Sequence, residues 1–278
     1  MALSINSNQP SLFSQNKLND IQQSQAKTLQ SLSTGKRINS AATDPAGSAI
    51  VEQFAAQIAG NNRASANLND GISLAQVADG ALEQLQSNSQ RLRELAVQAG
   101  NGTLSADDRS ALQAEANQLT QSNASIVSDT SFNGTPLLQG GATQIFQSGP
   151  NANDQIAVTS TNLASAPGSG GLYSLAGSID LTSQAGATQS LQNLDTDLAT
   201  LSQSRSDFGA VSNRFSAAID NLQQTSENLS AARSRIGDTD YASATADLAS
   251  QNIRSQANLA TQAQANAQPR QVLSLLGR

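Results

Sequence analysis

The sequence predicts a mainly α fold, a rod of long coiled-coil helices with a small β-hairpin region. Three observations predict it. Leu194, Leu201, Phe208, Phe215, Leu222, Leu229 and Ile236 follow one another at unbroken sevenfold spacing. The composition is poor in bulk, with 3% aromatic residues, no Trp and only 13% charged residues, and Ala, Ser, Gln and Asn fill the gap. Between Ser131 and Gly186 the periodic pattern gives way to Gly, Pro, Thr and short alternating runs. Small and amide side chains cannot fill a wide core, but they let helices approach closely. Sustained heptads with no proline describe one helix with a coiled-coil seam. From Gln189 to Ile236 that helix would be about 70 Å long at ~1.5 Å per residue.

A seam of that length needs an equally long cover. Leu74, Ala78, Ala81, Leu85, Leu92, Leu95 and Ala99 keep heptad spacing, with polar Asn88 as the one gap. Asn101-Gly102 then breaks the helix. Ser105 with Asp108 three residues on reads as a capping box. Leu112, Ala116, Leu119 and Ile126 carry the seam of the next helix. The run from Thr143 to Thr161 reads as two strands around a Gly-Pro-Asn turn. Ser165 to Gly171 reads as an exposed loop.

The ends follow a different rhythm. Leu18 and Ile21 recur eleven residues later as Leu29 and Leu32, and Leu248 recurs as Leu259. An eleven-residue period leaves helices nearly straight. Each stripe is narrow and offers little apolar area against the ordering entropy, so the ends are expected to order when they meet partners. Leu32 to Gly47 is the corner between this terminal layer and the heptad layer. Gly35 is expected to end the first helix, and Asp44-Pro45 to begin the second.

Absent residue types narrow the chemistry. With no His and no Cys, the chain has no histidine dyad, thiolate nucleophile or Cys-ligated zinc. No glycine-rich phosphate loop or pair of acidic motifs stands out, so the sequence reads as no enzyme, with no cofactor or metal. Net charge is −6, and the arginines are scattered among acidic residues, which argues against a nucleic-acid surface. No apolar run approaches the ~20 residues a membrane helix needs, and the first thirty lack a secretory apolar block.

The stretch "LSTGKRINSAATDPAGSAI" resembles the N-terminal signature of bacterial flagellin, as does "QRLRELAVQAGNGTLSADDRSALQAE" (Gln90 to Glu115). "SDFGAVSNRFSAAIDNLQQTSENLSAARSRIGDTDYA" (Ser206 to Ala242) and the closing "QVLSLLGR" resemble its C-terminal half. The likeness is collinear over about 1–160 and 190–278. It implies a structural subunit that self-assembles into the flagellar filament for motility. It also implies a secreted, extracellular location reached unfolded through the flagellar type III apparatus. The implied fold is a long antiparallel coiled-coil rod, with the N- and C-terminal helices paired in an inner layer. The implied domains are a discontinuous inner-tube domain at 1–40 and 240–278, and a rod at 41–239. The β-hairpin region falls at about 131–186, and the short connection leaves no substantial outer domain.

The resemblance implies an inner-tube subunit interface built from Leu18, Ile21, Leu29, Leu32, Leu248, Leu259, Val272, Leu273, Leu275 and Leu276. The implied partners are further copies in a helical homopolymer, an export chaperone at the C-terminal helix, and the filament cap and hook-associated proteins. Arg91, Leu95 and Glu115 match positions contacted by the animal toll-like receptor for flagellin. Gln30 to Val51 aligns with the peptide perceived by plant receptors, but Ala42, Thr43 and Pro45 depart from its usual Lys, Asp and Ala. Two alternatives remain open at this point. A hook–filament junction protein would share both ends but match "VLSLL" less well. An unrelated coiled-coil adaptor would explain the heptads but not the collinear motifs.

Overall fold

The computed structural model describes residues 8–140 and 143–276, excepting the side chains of Arg270 and of residues 272–276. Within them lie five helices: α1 (Gln9–Thr34), α2 (Pro45–Ala99), α3 (Ala106–Asp129), α4 (Gln184–Gly237) and α5 (Tyr241–Leu276). Four short strands fall between α3 and α4: β1 (Ser131–Phe132), β2 (Thr135–Pro136), β3 (Thr143–Gln147) and β4 (Gln155–Thr159). They form two separate antiparallel pairs, β1 with β2 and β3 with β4. The chain folds as two compact units, Met1–Ala56 with Glu227–Arg278, and Gln57–Ser226. The division falls inside α2 and α4, whereas the sequence places it near residues 40 and 240.

Local chemistry fixes the helix ends. Gly35 closes α1 in the left-handed conformation, φ 70°, which glycine adopts at no steric cost. Asp44 opens α2 by accepting the Gly47 N–H at 2.8 Å, with Pro45 at the first helical position. Gly47 is buried there, and a Cβ would lie 2.3 Å from Asp44 Oδ2. Arg109 satisfies carbonyls freed at the end of α2, donating to Ala99 O at 3.0 Å and Asn101 O at 2.9 Å. The expected capping box is present. Asp108 N–H donates to Ser105 Oγ at 3.2 Å, and Ser105 N–H donates back to Asp108 Oδ2 at 3.1 Å.

The core of the Gln57–Ser226 unit is the predicted heptad seam. Leu74, Ala78, Leu85, Leu92, Leu194, Leu201, Phe208 and Phe215 are all buried. At the gap in the pattern, Asn88 Nδ2 donates to Asn123 Oδ1 of α3 at 2.8 Å, so a buried amide pair replaces an apolar contact. Arg205 of α4, three residues before Phe208, reaches α2. Its Nε donates to Asp79 Oδ1 at 2.8 Å and its Nη1 to Gln86 Oε1 at 2.9 Å. These polar contacts fix the register of helices whose apolar faces alone tolerate sliding.

Both strand pairs lean on this core. The β1–β2 turn is Asn133-Gly134, with φ 50° and 78°, the two positive angles a two-residue hairpin requires. In the second pair Phe146 meets Phe215 edge-on, with ring centroids 5.3 Å apart. Ile156 and Val158 of β4 alternate inward.

The connection to α4 is sewn down more tightly than its Gly- and Ser-rich sequence suggests. Leu163, Leu172, Ile179 and Leu181 are buried. Asp197 of α4, itself buried, accepts from the backbone N–H groups of Tyr173 at 2.7 Å and Ser174 at 2.9 Å. Ser165 to Gly171 is mostly exposed, but the loop is pinched at its base, where Leu172 N–H donates to Leu163 O at 3.1 Å.

Candidate assembly surfaces

In the unit holding both ends, α1 lies along α5. The covered positions of α1 are Ser11, Ser14, Leu18, Ile21, Gln25, Thr28, Ser31 and Leu32, and those of α5 are Ala244, Leu248, Ser250, Gln251, Ser255, Asn258, Gln262, Ala265 and Pro269. Apart from Ser31 and Ser250 these follow a sevenfold rhythm, not the elevenfold one expected from the leucines. Eleven residues overshoot three turns of 3.5 by half a residue, so Leu29 and Leu259 fall beside the seam. They are 49% and 52% exposed. Leu18, Ile21, Leu32 and Leu248 are half-buried in the seam. Val272, Leu273, Leu275 and Leu276 fall in the last turns of α5, and their side chains lie outside the described residues.

Polar side chains do much of the pairing. Gln25 Nε2 donates to Asn252 Oδ1 at 2.7 Å, and Gln251 Nε2 donates to Thr28 Oγ1 at 3.1 Å. At the corner the helix ends cap one another. Thr239 N–H donates to Gly35 O at 2.9 Å and Tyr241 OH to Leu32 O at 3.1 Å, while Arg37 N–H donates to Gly237 O at 2.8 Å. Other bulky apolar groups point away from the seam. Leu12, Phe13 and Ile253 are 58%, 65% and 68% exposed.

A second group of sequence-predicted residues lies in the other unit. The Arg91 guanidinium donates to Glu115 Oε1 from Nε at 3.0 Å and from Nη2 at 2.8 Å, and to Glu94 Oε2 from Nη1 at 2.9 Å. Its hydrogen bonds to Glu94 and Glu115 hold its pKa above the ordinary arginine range. Arg91 and Glu115 are solvent-accessible, with side chains 50% and 45% exposed. Leu95 is not on that surface. It is 1% exposed and packs with Leu92, Ala99, Ala116 and Leu194. Four residues turn a helix by about 40° beyond a full circle, enough here to pass from solvent to core.

Sequence reasoning missed Asp197 and Asn123, both polar residues that resemble solvated positions in a chain rich in amides. Burial pushes the Asp197 carboxyl above the usual range, partly offset by the N–H donors of Ser174 and Tyr173. Among the described residues no helix is long and apolar enough to cross a membrane, and no group of acidic residues is placed to hold a metal ion.

Residues 5–143 match the bacterial flagellin N-terminal helical region, and residues 191–276 match the C-terminal helical region. A flagellin of Halalkalibacterium halodurans is 40% identical over 251 residues, spanning 90% of this chain and 91% of that one. A flagellin of Bacillus subtilis is 39% identical over 301 residues, spanning 98% and 99%. The crystal structure of Bacillus cereus flagellin superposes with a TM-score of 0.50 at 28% identity, covering 60% of this chain and 94% of that one. Full-length agreement with flagellins, including the closing motif, sets aside the junction-protein and adaptor alternatives. The chain belongs to the bacterial flagellin family and is a self-assembling structural subunit of the flagellar filament, the organelle of motility.

Proposed function

We propose that polymerisation runs through the paired terminal helices, with Leu12, Phe13, Leu29, Ile253 and Leu259 buried by neighbouring subunits in an inner tube. One observation carries this reading: the exposed faces of α1 and α5 bear bulky apolar groups, while Ser, Thr, Gln and Asn outnumber the few large apolar residues in the seam between them. Leu18, Ile21, Leu32 and Leu248 hold the pair together from within. Val272, Leu273, Leu275 and Leu276 add an apolar tail after Pro269. Full burial of one such side chain is worth roughly 1.5–3 kcal/mol, and these groups are about half-exposed, so each contributes roughly 1 kcal/mol per subunit. Phe13→Ser and Leu259→Ser are therefore expected to raise the critical concentration for seeded growth several-fold each, with thermal unfolding of the rod unchanged. Critical concentrations equal to that of the natural chain would refute the assignment.

The same reading makes the protein extracellular, exported unfolded through the flagellar type III apparatus. An export chaperone would cover the apolar face of α5 before assembly, and the filament cap and hook-associated proteins would meet the ends of the polymer. For the animal toll-like receptor, the accessible Arg91–Glu115 pair supports a polar contact, and buried Leu95 supports α2 beneath it. Charge reversal at Arg91 in a receptor-reporter assay tests this: an undiminished response to Arg91→Glu removes the residue from the contact.

A further inference from the structure

α5 contains Pro269 well inside the helix. Proline has no N–H, so the carbonyl four residues earlier loses its helical donor. That carbonyl belongs to Ala265, which is 8% exposed and has little water to turn to. The replacement donor comes from the far end of the sequence. Asn8 Nδ2 lies 2.9 Å from Ala265 O. The other half of the same amide caps α1, because Asn8 Oδ1 accepts from Ser11 N–H at 3.2 Å. One side chain thus closes the start of α1 and fills the vacancy that proline leaves in α5.

We propose that Asn8 is a positioning residue, a latch that sets the register of α1 against α5 through the carbonyl freed by Pro269. Ala265 O is the carbonyl that Pro269 frees in the helix interior, and the Asn8 amide reaches it. The carbonyls of α5 before Ala265 are engaged within the helix, so sliding the pair by one turn would strand both the Asn8 donor and the Ala265 acceptor. Leu18, Ile21, Leu32 and Leu248 are too few to prevent such a slip alone, because small and polar residues occupy most of the seam. The latch also sits seven residues ahead of Val272, so it fixes where the apolar tail begins relative to α1. Its consequence for polymerisation rests on the reading that the terminal pair is the assembly surface.

The test is a coupled pair of substitutions read by critical concentration for growth from seeds. Asn8→Ser keeps a capping oxygen for α1 and removes the amide donor. Pro269→Ala restores an N–H that satisfies Ala265 from within α5. With Pro269 present, Asn8→Ser is expected to raise the critical concentration about tenfold; combined with Pro269→Ala, by less than about twofold. If Asn8→Ser elongates no seeds at all, rescue by Pro269→Ala supports the latch and failure to rescue overturns it. An equal effect in both backgrounds, or none with Pro269, also overturns it, since a residue that merely caps α1 would be served as well by serine. Leu259→Ser serves as a control. If it leaves the critical concentration unchanged while the coupling is seen, the latch stands and the assignment of the assembly surface falls.

Discussion

Replacing Asp197 by alanine should loosen the connection before α4 while sparing the helices. The carboxylate is buried, and it accepts from the Tyr173 and Ser174 N–H groups at 2.7 and 2.9 Å. Stranding a buried donor costs about 1–3 kcal/mol, so two give about 2–6 kcal/mol. Part of this is returned, because the natural carboxylate is itself desolvated, as its raised pKa records. A net loss of about 1–4 kcal/mol remains, concentrated on residues 172–181. Amide hydrogen exchange is the direct assay, with sharply faster exchange expected at Tyr173 and Ser174 and little change along α2. The pH dependence gives a second check with a definite sign. The folded pKa lies above the unfolded value of about 3.9, so the folded state holds its proton to higher pH. This group therefore lowers stability as pH rises from about 3.9 through the folded pKa, and Asp197→Asn should flatten that fall. Asp108 and Asp180 act oppositely: hydrogen bonds from Ser105 and Thr182 lower their pKa, so their contribution fades as pH drops. An Asp197→Ala chain with both amides still protected would refute the fastening role.

Other perturbations probe the rod and the ends. Gly71→Ala would set a Cβ 2.7 Å from Cε2 of Phe215, a ring with no exposed surface; overpacking of about 1–3 kcal/mol should outweigh the ~1 kcal/mol gain in helix propensity, and an unchanged or higher Tm would contradict this. Arg205→Ala removes the fork to Asp79 and Gln86; at a partly exposed site the loss should be about 0.5–1 kcal/mol in urea unfolding, and Arg205→Lys should not restore it. The α1–α5 pair should exchange its amides rapidly in the monomer and slowly in the filament, and strong monomer protection of residues 12–32 would show that the polar seam suffices. A chain ending at Gln271 should melt like the full chain yet fail to elongate seeds; normal polymer from it would exclude the tail from the interface.

What the sequence disclosed follows from where its bulk lies. In α2 and α4 large side chains recur at one phase, so Leu85, Leu201 and Phe215 mark the core without any knowledge of a partner. Asn88 was visible only as a gap, because Asn123 lies among amides with no phase of their own. The connection before α4 gave no signal, since Leu163, Leu172 and Leu181 stand singly among Gly and Ser and belong to no period. Leu95 carries two sequence readings, a heptad seam position and, four residues from Arg91, a share of its exposed face; its burial supports the seam and overturns the shared face. The terminal helices are the sharpest case. Their leucines suggest one period while the covered positions obey another, because Gln, Ser and Asn can line a seam when backbones lie close. A seam built largely from such residues holds two helices in line while consuming only Leu18, Ile21, Leu32 and Leu248 of their large apolar groups. Leu12, Phe13 and Ile253 stay outside it, and on the proposed reading they are the groups that neighbouring subunits bury on polymerisation.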